Sequence, residues 1–260
     1  MQFAYLSSTV GIKTVSEDAK KGVFEIEGLF VGYGMTIGNT LRRTLLSSLP
    51  GAAITEMKVK NVSHEFSSLP GMKEDITELA LNLKKLRFQI HTDEAQALML
   101  KVKGERTITA KDITPNSEVE VINGDEVIAT LTSSDAELDL ELKVEKGLGY
   151  SPVEARKEGR LPIGTIAIDA LFTPVRRVNY EIEDMRVGER TDYNRLRVEV
   201  ETDGTISPSA ALHKAANILK DHFDKVSAVE VKGFEEEKPA AEAPKKKARA
   251  KKAEKVEKAE

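Results

Sequence analysis

The sequence predicts an α+β fold that is built mainly from antiparallel strands. Several stretches alternate apolar and polar residues with a period of two, which is typical of strands that bury one face and leave the other in water. Three other segments carry apolar residues at spacings of three and four, which is the pattern of an amphipathic helix. Strands and helices do not alternate regularly, and this order favours α+β over a doubly wound parallel sheet.

Six stretches alternate with the strand period, and the clearest of them is ELDLELKVEKG. Its leucines share one face and its acidic residues share the other. The other five stretches are VFEIE, EMKVKNV, ALMLKVKGERTI, RVNYEIE and RLRVEVET. Because each stretch has a polar face, we expect mainly antiparallel sheets. The segment from Gly147 to Gly164 is rich in Gly, Pro and charge, and it is predicted to be a long loop.

The three predicted helices cover Thr36 to Leu49, Met72 to about Arg87, and a segment that begins at Pro208. For the third helix, Ser207 is a candidate N-cap, since its hydroxyl can accept a hydrogen bond from a free backbone N–H of the first turn. Pro208 then occupies the first helical position, where the missing N–H of proline has no helical partner to lose.

Three glycines, Gly32, Gly34 and Gly38, lie at the start of the first helix and raise the question of a phosphate-binding loop. Their spacing is G-x-G-x-x-x-G, which differs from the dinucleotide fingerprint, and no Lys-Ser/Thr pair follows as in a P-loop. The strand before them also carries glutamates on one face. We therefore expect no phosphate site here. Burying four or five large apolar side chains, at about 1.5–3 kcal/mol each, outweighs the roughly 1 kcal/mol that Gly38 costs the helix.

The first and third helices have apolar arcs that are wider than a surface helix needs to pack on one core. The residues on the first arc are Ile37, Leu41, Leu45, Leu46 and Leu49. The residues on the third helix are Leu212, Ala215, Ala216, Leu219, Phe223 and Val226. Such arcs indicate contacts on two sides, and a twofold dimer would use the same surface twice. The alternative, that both are well-buried core helices, stays open on this pattern alone.

Composition indicates a soluble intracellular protein. The 260 residues include no cysteine, which excludes disulfides and thiolate zinc sites. No apolar run approaches the roughly 20 residues that a membrane span requires, and the N-terminus does not resemble a signal peptide. From Glu235 to Glu260 the chain is almost entirely Lys, Glu, Ala, Arg and Pro, and this tail is predicted to be disordered.

The charge distribution argues against a broad nucleic-acid surface on the folded part. The net charge is −4, and the tail contains nine basic and seven acidic residues, so the body is the more acidic part. Residues 245–252 hold six basic side chains, which could attract phosphates without sequence preference. A solubilising role for the tail is the simpler interpretation.

No arrangement of residues predicts catalysis on this chain. Asp135, Glu137, Asp139 and Glu141 share a strand face, but neighbours lie about 6.6 Å apart along the strand and look like its solvated side. His64 precedes Glu65 without the second histidine of a zinc-binding helix. We expect neither a metal ion nor a cofactor on this chain.

Three long blocks resemble the α subunit of bacterial and plastid DNA-directed RNA polymerase. They occur in the family's order, from about Phe24 to Phe223. The blocks are GYGMTIGNTLRRTLLSSLPGAAIT, GMKEDITELALNLKKL and GLGYSPVEARK with the following LPIGTIAIDALFTPVRRVNYEIEDMRVGERTDYNRLRVEVETDGTISPSAALHKAANIL. Three such blocks in one order are far more specific than a single short motif.

The resemblance implies a two-subdomain fold. A dimerisation and assembly subdomain would combine residues 1–50 with 173–234, and a β-rich subdomain would be inserted as residues 51–172. The dimer would join the subdomains that contain the first and third helices. The implied dimer residues are Ile37, Leu41, Leu45, Leu49, Leu212, Ala216, Leu219 and Phe223.

The resemblance also implies a structural role within an enzyme. Two α chains would form the platform on which subunits β and β′ assemble, with omega in the core enzyme. The catalytic Mg²⁺ would be held by another subunit. Implied contacts to the large subunits are Arg42, Arg43, Leu46, Lys84 and Ile168. The protein would act in the cytoplasm, near the nucleoid, or in the plastid stroma.

The sequence departs from many family members after Phe234, where no apolar residues follow from which a helical DNA-binding domain could be built. Contact with DNA by this chain would then be indirect, or weak and salt-sensitive through the tail. Two hypotheses from other classes remain as alternatives: a nucleotide-binding enzyme that uses the glycine segment, and a non-specific DNA-binding protein that acts through the tail.

Overall fold

The α+β fold class is confirmed in a computed structural model that describes residues 8–156, 162 and 164–229. Three α-helices are described, namely α1 (Tyr33–Ser47), α2 (Ile76–Leu83) and α3 (Pro208–Ser227). The strands are β1 (Gly11–Glu17), β2 (Lys21–Leu29), β3 (Pro50–Val59), β4 (Phe88–Ile90), β5 (Gln96–Lys103), β6 (Arg106–Thr109), β7 (Val119–Val121), β8 (Val127–Leu131), β9 (Glu137–Leu148), β10 (Tyr150–Ser151), β11 (Thr165–Ala167), β12 (Ala170–Leu171), β13 (Val175–Val187) and β14 (Arg190–Thr202). All strand pairs among the described residues are antiparallel, as the alternating pattern predicts.

The first sheet has the order β1-β2-β14-β13 and is covered on one face by α1 and α3. The side chains between this face and the two helices form the first core, which comprises Phe24, Leu29, Leu41, Leu45, Leu49, Val175, Val178, Leu196, Val198, Val200, Ala211, Leu212 and Ala215. The other face of the sheet is charged. There Arg195 lies 3.1 Å from Glu27, and Lys21 lies 2.5 Å from Glu199. This face therefore stays in water while its opposite face anchors the helices.

The second sheet has the order β5-β9-β3-β4-β7, and β11 pairs with β3 beside it. The leucines of ELDLELKVEKG lie in its core, as their alternation predicts. Helix α2 packs over this core through Ile76, Leu79 and Leu83, and the Asn82 amide donates a 3.0 Å hydrogen bond to the carbonyl of Ile128 on β8. The side chains of this second core form a cluster that shares no residue with the first core.

One buried ion pair joins the parts of the chain that build the two cores. The Arg87 Nε lies 3.6 Å from the Asp203 Oδ2, and Asp203 is almost completely buried. The second core is built from residues between the predicted boundaries at 51 and 172, and the first core from residues outside them. The boundaries themselves stay a prediction.

The start of α1 and both ends of α2 differ from the bounds that the sequence predicts. Helix α1 begins at Tyr33, one turn earlier than expected, and contains two of the three glycines. Helix α2 is much shorter than the predicted Met72-to-Arg87 segment, because the carboxylate of Asp75 caps it by accepting a 2.6 Å hydrogen bond from the Glu78 N–H. The start of α3 is confirmed, since the Ser207 hydroxyl accepts from the Ala210 N–H at 3.3 Å.

The predicted loop between Gly147 and Gly164 is wrong in its first half. Strand β9 continues to Leu148, β10 follows, and a short 3-10 turn covers Val153–Arg156. The Gly and Pro content of the segment predicts a loop. The two-residue strand β10 forms nevertheless, because it depends on pairing with β12 rather than on local propensity. The predicted disordered tail and the end of folded sequence near Phe234 lie outside the described residues.

Candidate partner-binding surfaces

The glycines of α1 allow the helix to lie very close to its sheet. A Cβ at Gly38 would be 2.8 Å from the Tyr180 Cδ2 and 2.9 Å from the Leu196 Cδ1. A Cβ at Gly34 would be 3.0 Å from the Ile182 Cγ2. Distances below 3.0 Å are shorter than carbon atoms tolerate, so a side chain at Gly38 would push the helix away from β13 and β14. These glycines therefore serve helix–sheet packing.

The residue that precedes α1 is held to the sheet by a hydrogen bond. Gly32 has a φ of +83°, a conformation that glycine adopts without strain, and its N–H donates a 2.9 Å hydrogen bond to the Asn194 Oδ1. The Asn194 amide in turn donates to Asp184 at 3.2 Å. A carboxylate close to this end of the helix would repel a phosphate, which argues against the nucleotide-binding alternative.

The arginine pair of α1 is free to bind a partner. Arg42 and Arg43 are exposed, and within the described residues neither guanidinium makes a hydrogen bond or an ion pair. Leu46, one turn further, is half-buried and packs against the first core. The helix that carries these side chains is fixed by Leu45, which is completely buried. An arginine on a rigid helix loses little entropy when its fork binds a carboxylate.

Lys84 directly follows α2, the helix that packs over the second core, and belongs to a small polar cluster. Its Nζ is 3.3 Å from the Oδ2 of Asp169, and the Oδ1 accepts a 3.0 Å hydrogen bond from the Val153 N–H. This backbone N–H, together with the Lys84 ammonium, holds the pKa of the Asp169 carboxyl below its usual value although partial burial opposes the shift. Lys84 therefore presents a charge that is already paired.

Ile168 offers no surface to a partner. Its side chain is 4% exposed and belongs to the second core, and its N–H donates a 2.9 Å hydrogen bond to the carbonyl of Thr55. Its neighbour Asp169, between β11 and β12, is half-buried. A contact of Ile168 with a large subunit stays a prediction, and in the protomer described here this side chain is buried.

The residues implied for the dimer fall into two groups. Leu41, Leu45, Leu49 and Leu212 are buried in the protomer's own first core, so a single protomer does not present them on its surface. Ile37 and Leu219 are half-buried, and Ala216 and Phe223 are exposed. The protomer's own core thus covers part of each wide arc, and the dimer contacts of these residues stay a prediction.

The second half of α3 nevertheless extends beyond the core that holds its first half. From Lys220 onward every described residue is exposed, and Phe223 and Val226 are 64% and 68% exposed. A spacing of three places both side chains on one face of the helix. Strand β1, which the sequence analysis missed, also exposes Ile12 and Val15. Its weak alternation, GIKTVSE, was the only available signal for it.

The acidic row of β9 is the solvated face of its sheet. Glu137 lies 3.4 Å from Lys60 and Asp139 lies 3.4 Å from Lys101, so lysines of neighbouring segments balance these carboxylates. In the part of the chain that the structure describes, no three His, Cys, Asp or Glu side chains are arranged to hold a metal ion. None of the helices described there combines the length and apolar character needed to cross a membrane.

Comparison with known proteins gives consistent matches. Residues 55–173 match the family model of the RNA polymerase Rpb3/RpoA insert domain. Over 215 residues the chain is 49% identical to the DNA-directed RNA polymerase subunit alpha of Symbiobacterium thermophilum, and the match covers 82% of this chain and 68% of that protein. The corresponding protein of Alkaliphilus metalliredigens is 46% identical over 215 residues, with 83% and 68% covered. That of Carboxydothermus hydrogenoformans is 48% identical over 212 residues, with 82% and 67% covered.

Proposed function

This chain belongs to the α-subunit family of DNA-directed RNA polymerase, and we propose that it forms a homodimer on which subunits β and β′ assemble. The observation that carries the proposal is the double use of α1 and α3. Each helix fills the protomer's own core with one set of side chains and keeps a second set exposed. The second set is Arg42 and Arg43 on α1, whose guanidinium groups make no ion pair within the described residues, and Phe223 and Val226 on α3. Surfaces of this kind on rigid elements are suited to binding other chains.

The chain's contribution to the polymerase is structural. Its carboxylate row is balanced by lysines, which supports a solvated face rather than a site for the catalytic Mg²⁺. In this proposal the metal ion is held by another subunit, and omega joins the complex without a surface that we assign here. Since the similar proteins come from bacteria, the proposed place of action is the cytoplasm.

The dimer is proposed to form through the second half of α3. In a twofold interface each substituted residue appears twice. Burying one Phe side chain contributes about 1.5–3 kcal/mol, so Phe223→Asp is expected to weaken the dimer by at least ~100-fold. Phe66→Asp is the matched control, because Phe66 is 81% exposed in the connection between β3 and α2. Sedimentation equilibrium measures both; equal dimer affinity for the two variants would contradict this interface.

The arginine pair is proposed to bind a carboxylate or carbonyl of subunit β. Hydrogen bonds to a charged group contribute about 1.5–3 kcal/mol, so Arg43→Ala is expected to lower the affinity of the dimer for purified subunit β by ~10- to 100-fold. The dimer itself should persist. Arg197→Ala serves as the control, because Arg197 is also exposed but lies on the charged face of the first sheet, away from α1. If Arg43→Ala bound as tightly as this control, α1 would not be the contact.

A further inference from the structure

Strand β7 forms one edge of the second sheet, so its neighbour β4 pairs with only one of its two sides. On that side the Ile122 N–H, directly after β7, donates a 2.9 Å hydrogen bond to the Arg87 carbonyl. In an antiparallel pair, residues that bond the neighbour alternate with residues whose N–H and C=O groups point away from it. Val119 and Val121 alternate with Ile122 in this way. Their backbone groups therefore point toward the open edge.

Most of these outward backbone groups are free. The Val119 N–H donates to the Asn116 carbonyl at 3.4 Å, in the turn that precedes the strand. The Val119 C=O and both backbone groups of Val121 have no partner within the described residues. They match two alternate residues of an added antiparallel strand, which supply two N–H donors and one C=O acceptor. An edge strand with such unpaired groups is a template for pairing with another chain.

A cavity of about 420 Å³ lies against the open edge of β7. Residues 119–121 line one side of it, whereas β4 contributes no residue to its lining, and the other wall comes from the segment 110–117. Leu98, on the opposite edge strand β5, also lines the cavity, so the sheet curls until its two edges face each other across it. The volume lies in the range of about 300–1,000 Å³ that is typical of ligand sites. We call β7 together with this cavity the β7 groove.

The two faces of β7 define what the groove can bind. Val119 and Val121 pack on the second core, whereas Glu120, and Glu118 directly before the strand, lie on the opposite face. Neither glutamate makes an ion pair within the described part of the chain. On an added strand, the side chains opposite the two valines would share the apolar face, and the side chain between them would share the face of the glutamates. The complementary sequence is therefore apolar–basic–apolar.

We propose that the β7 groove binds an extended segment of another protein, which adds an antiparallel strand to β7 with the order apolar–basic–apolar. The free backbone groups select a peptide, because an extended chain carries donors and acceptors at the spacing of the strand. The apolar side chains enter the cavity, and the basic one lies beside the free carboxylates. The inference is independent of the proposed function, since it uses no residue of α1 or α3.

The test measures the affinity of the full chain for two labelled peptides, acetyl-Gly-Val-Lys-Val-Gly-amide and the same peptide with Glu in place of Lys, by fluorescence anisotropy. The Lys peptide is expected to bind ~5-fold more tightly than the Glu peptide, because opposite charges attract across strands and like charges repel. Glu120→Lys should reverse this preference. Glu105→Lys is the matched control, since Glu105 is exposed between β5 and β6 and should leave the preference unchanged.

Val121→Pro tests the backbone contact. Proline removes the outward N–H and leaves the hydrogen bonds to β4, and an edge strand tolerates it where the N–H faces solvent. The loss of one hydrogen bond is expected to weaken binding of the Lys peptide at least ~3-fold. Glu120→Lys changes no backbone hydrogen bond, so it decides the matter if Val121→Pro fails to fold.

Three outcomes would overturn the inference. If neither peptide binds, or both bind equally, the groove does not select this sequence. If Glu120→Lys and Val121→Pro bind the Lys peptide as tightly as Glu105→Lys does, the peptide does not lie on β7. If the Lys peptide binds only after residues 235–260 are removed, the basic tail of this chain occupies the groove instead of another protein.

Discussion

The sharpest test of the packing argument is the substitution Gly38→Val in α1. Valine adds three carbon atoms where the first of them alone would lie 2.8 Å from the Tyr180 ring and 2.9 Å from the Leu196 methyl. Overpacking by extra methyl groups in a filled core costs about 1–3 kcal/mol and occasionally more. Replacing a helical glycine returns at most about 1 kcal/mol, and less for a β-branched residue. We therefore expect the free energy of unfolding to fall by about 0.5–2.5 kcal/mol.

The assay is urea unfolding at a fixed protein concentration, because dissociation of the proposed dimer would contribute to the measured stability. Asn39→Ala is the matched control, since Asn39 is the next residue on α1 and is exposed. Its better helix propensity predicts a gain of about 0.5 kcal/mol. If Gly38→Val were as stable as the unsubstituted protein, the helix could move off the sheet freely. The close approach would then not explain the glycine.

Three further predictions concern stability and pH. Arg87→Ala leaves the buried Asp203 carboxylate without its ion pair, so thermal and urea unfolding should show a loss of about 2–4 kcal/mol, whereas a loss under 0.5 would show that the pair is dispensable. Leu45→Ala creates a cavity under α1 and should cost about 2–5 kcal/mol in urea; a cost below 1 would mean that the core refills. The lowered pKa of Asp169 means that its charged form stabilises the fold above the usual carboxyl pKa of 3.8, and this contribution is lost as pH falls through the lowered value. The melting temperatures of the protein and of Asp169→Asn should therefore differ at neutral pH and converge in acid; a gap that widens in acid would refute the sign.

Local signals in the sequence were sufficient where a residue acts on its own backbone or on its own strand. Ser207 and Pro208 define the start of α3 because a cap and a fixed φ need no distant partner. The alternation in β9 defines its buried face because successive side chains of any strand point to opposite sides. The blocks that resemble the polymerase α subunit identified the family for the same reason, since they are read directly from the chain.

Other features depended on residues that are distant in sequence. The second helix is the exception, since its predicted length was wrong for local reasons: Asp75 begins α2 late, and the turn after Leu83 ends it early. Strands β10 and β12 were missed, since each has two residues and exists only through pairing with the other. Their pairing is therefore invisible in the sequence, where Tyr150 and Leu171 stand twenty-one positions apart.

The sequence by itself determined the fold class, the start of α3 and the family. It could not tell which leucines of α1 and α3 meet their own sheet and which side chains remain for a partner. That division was decided by the tertiary structure, because the close approach that Gly34 and Gly38 permit draws Leu41 and Leu45 into the core, while α3 continues past the end of that core. Periodicity gives the direction of a side chain, but only the assembled neighbours determine whether anything covers it.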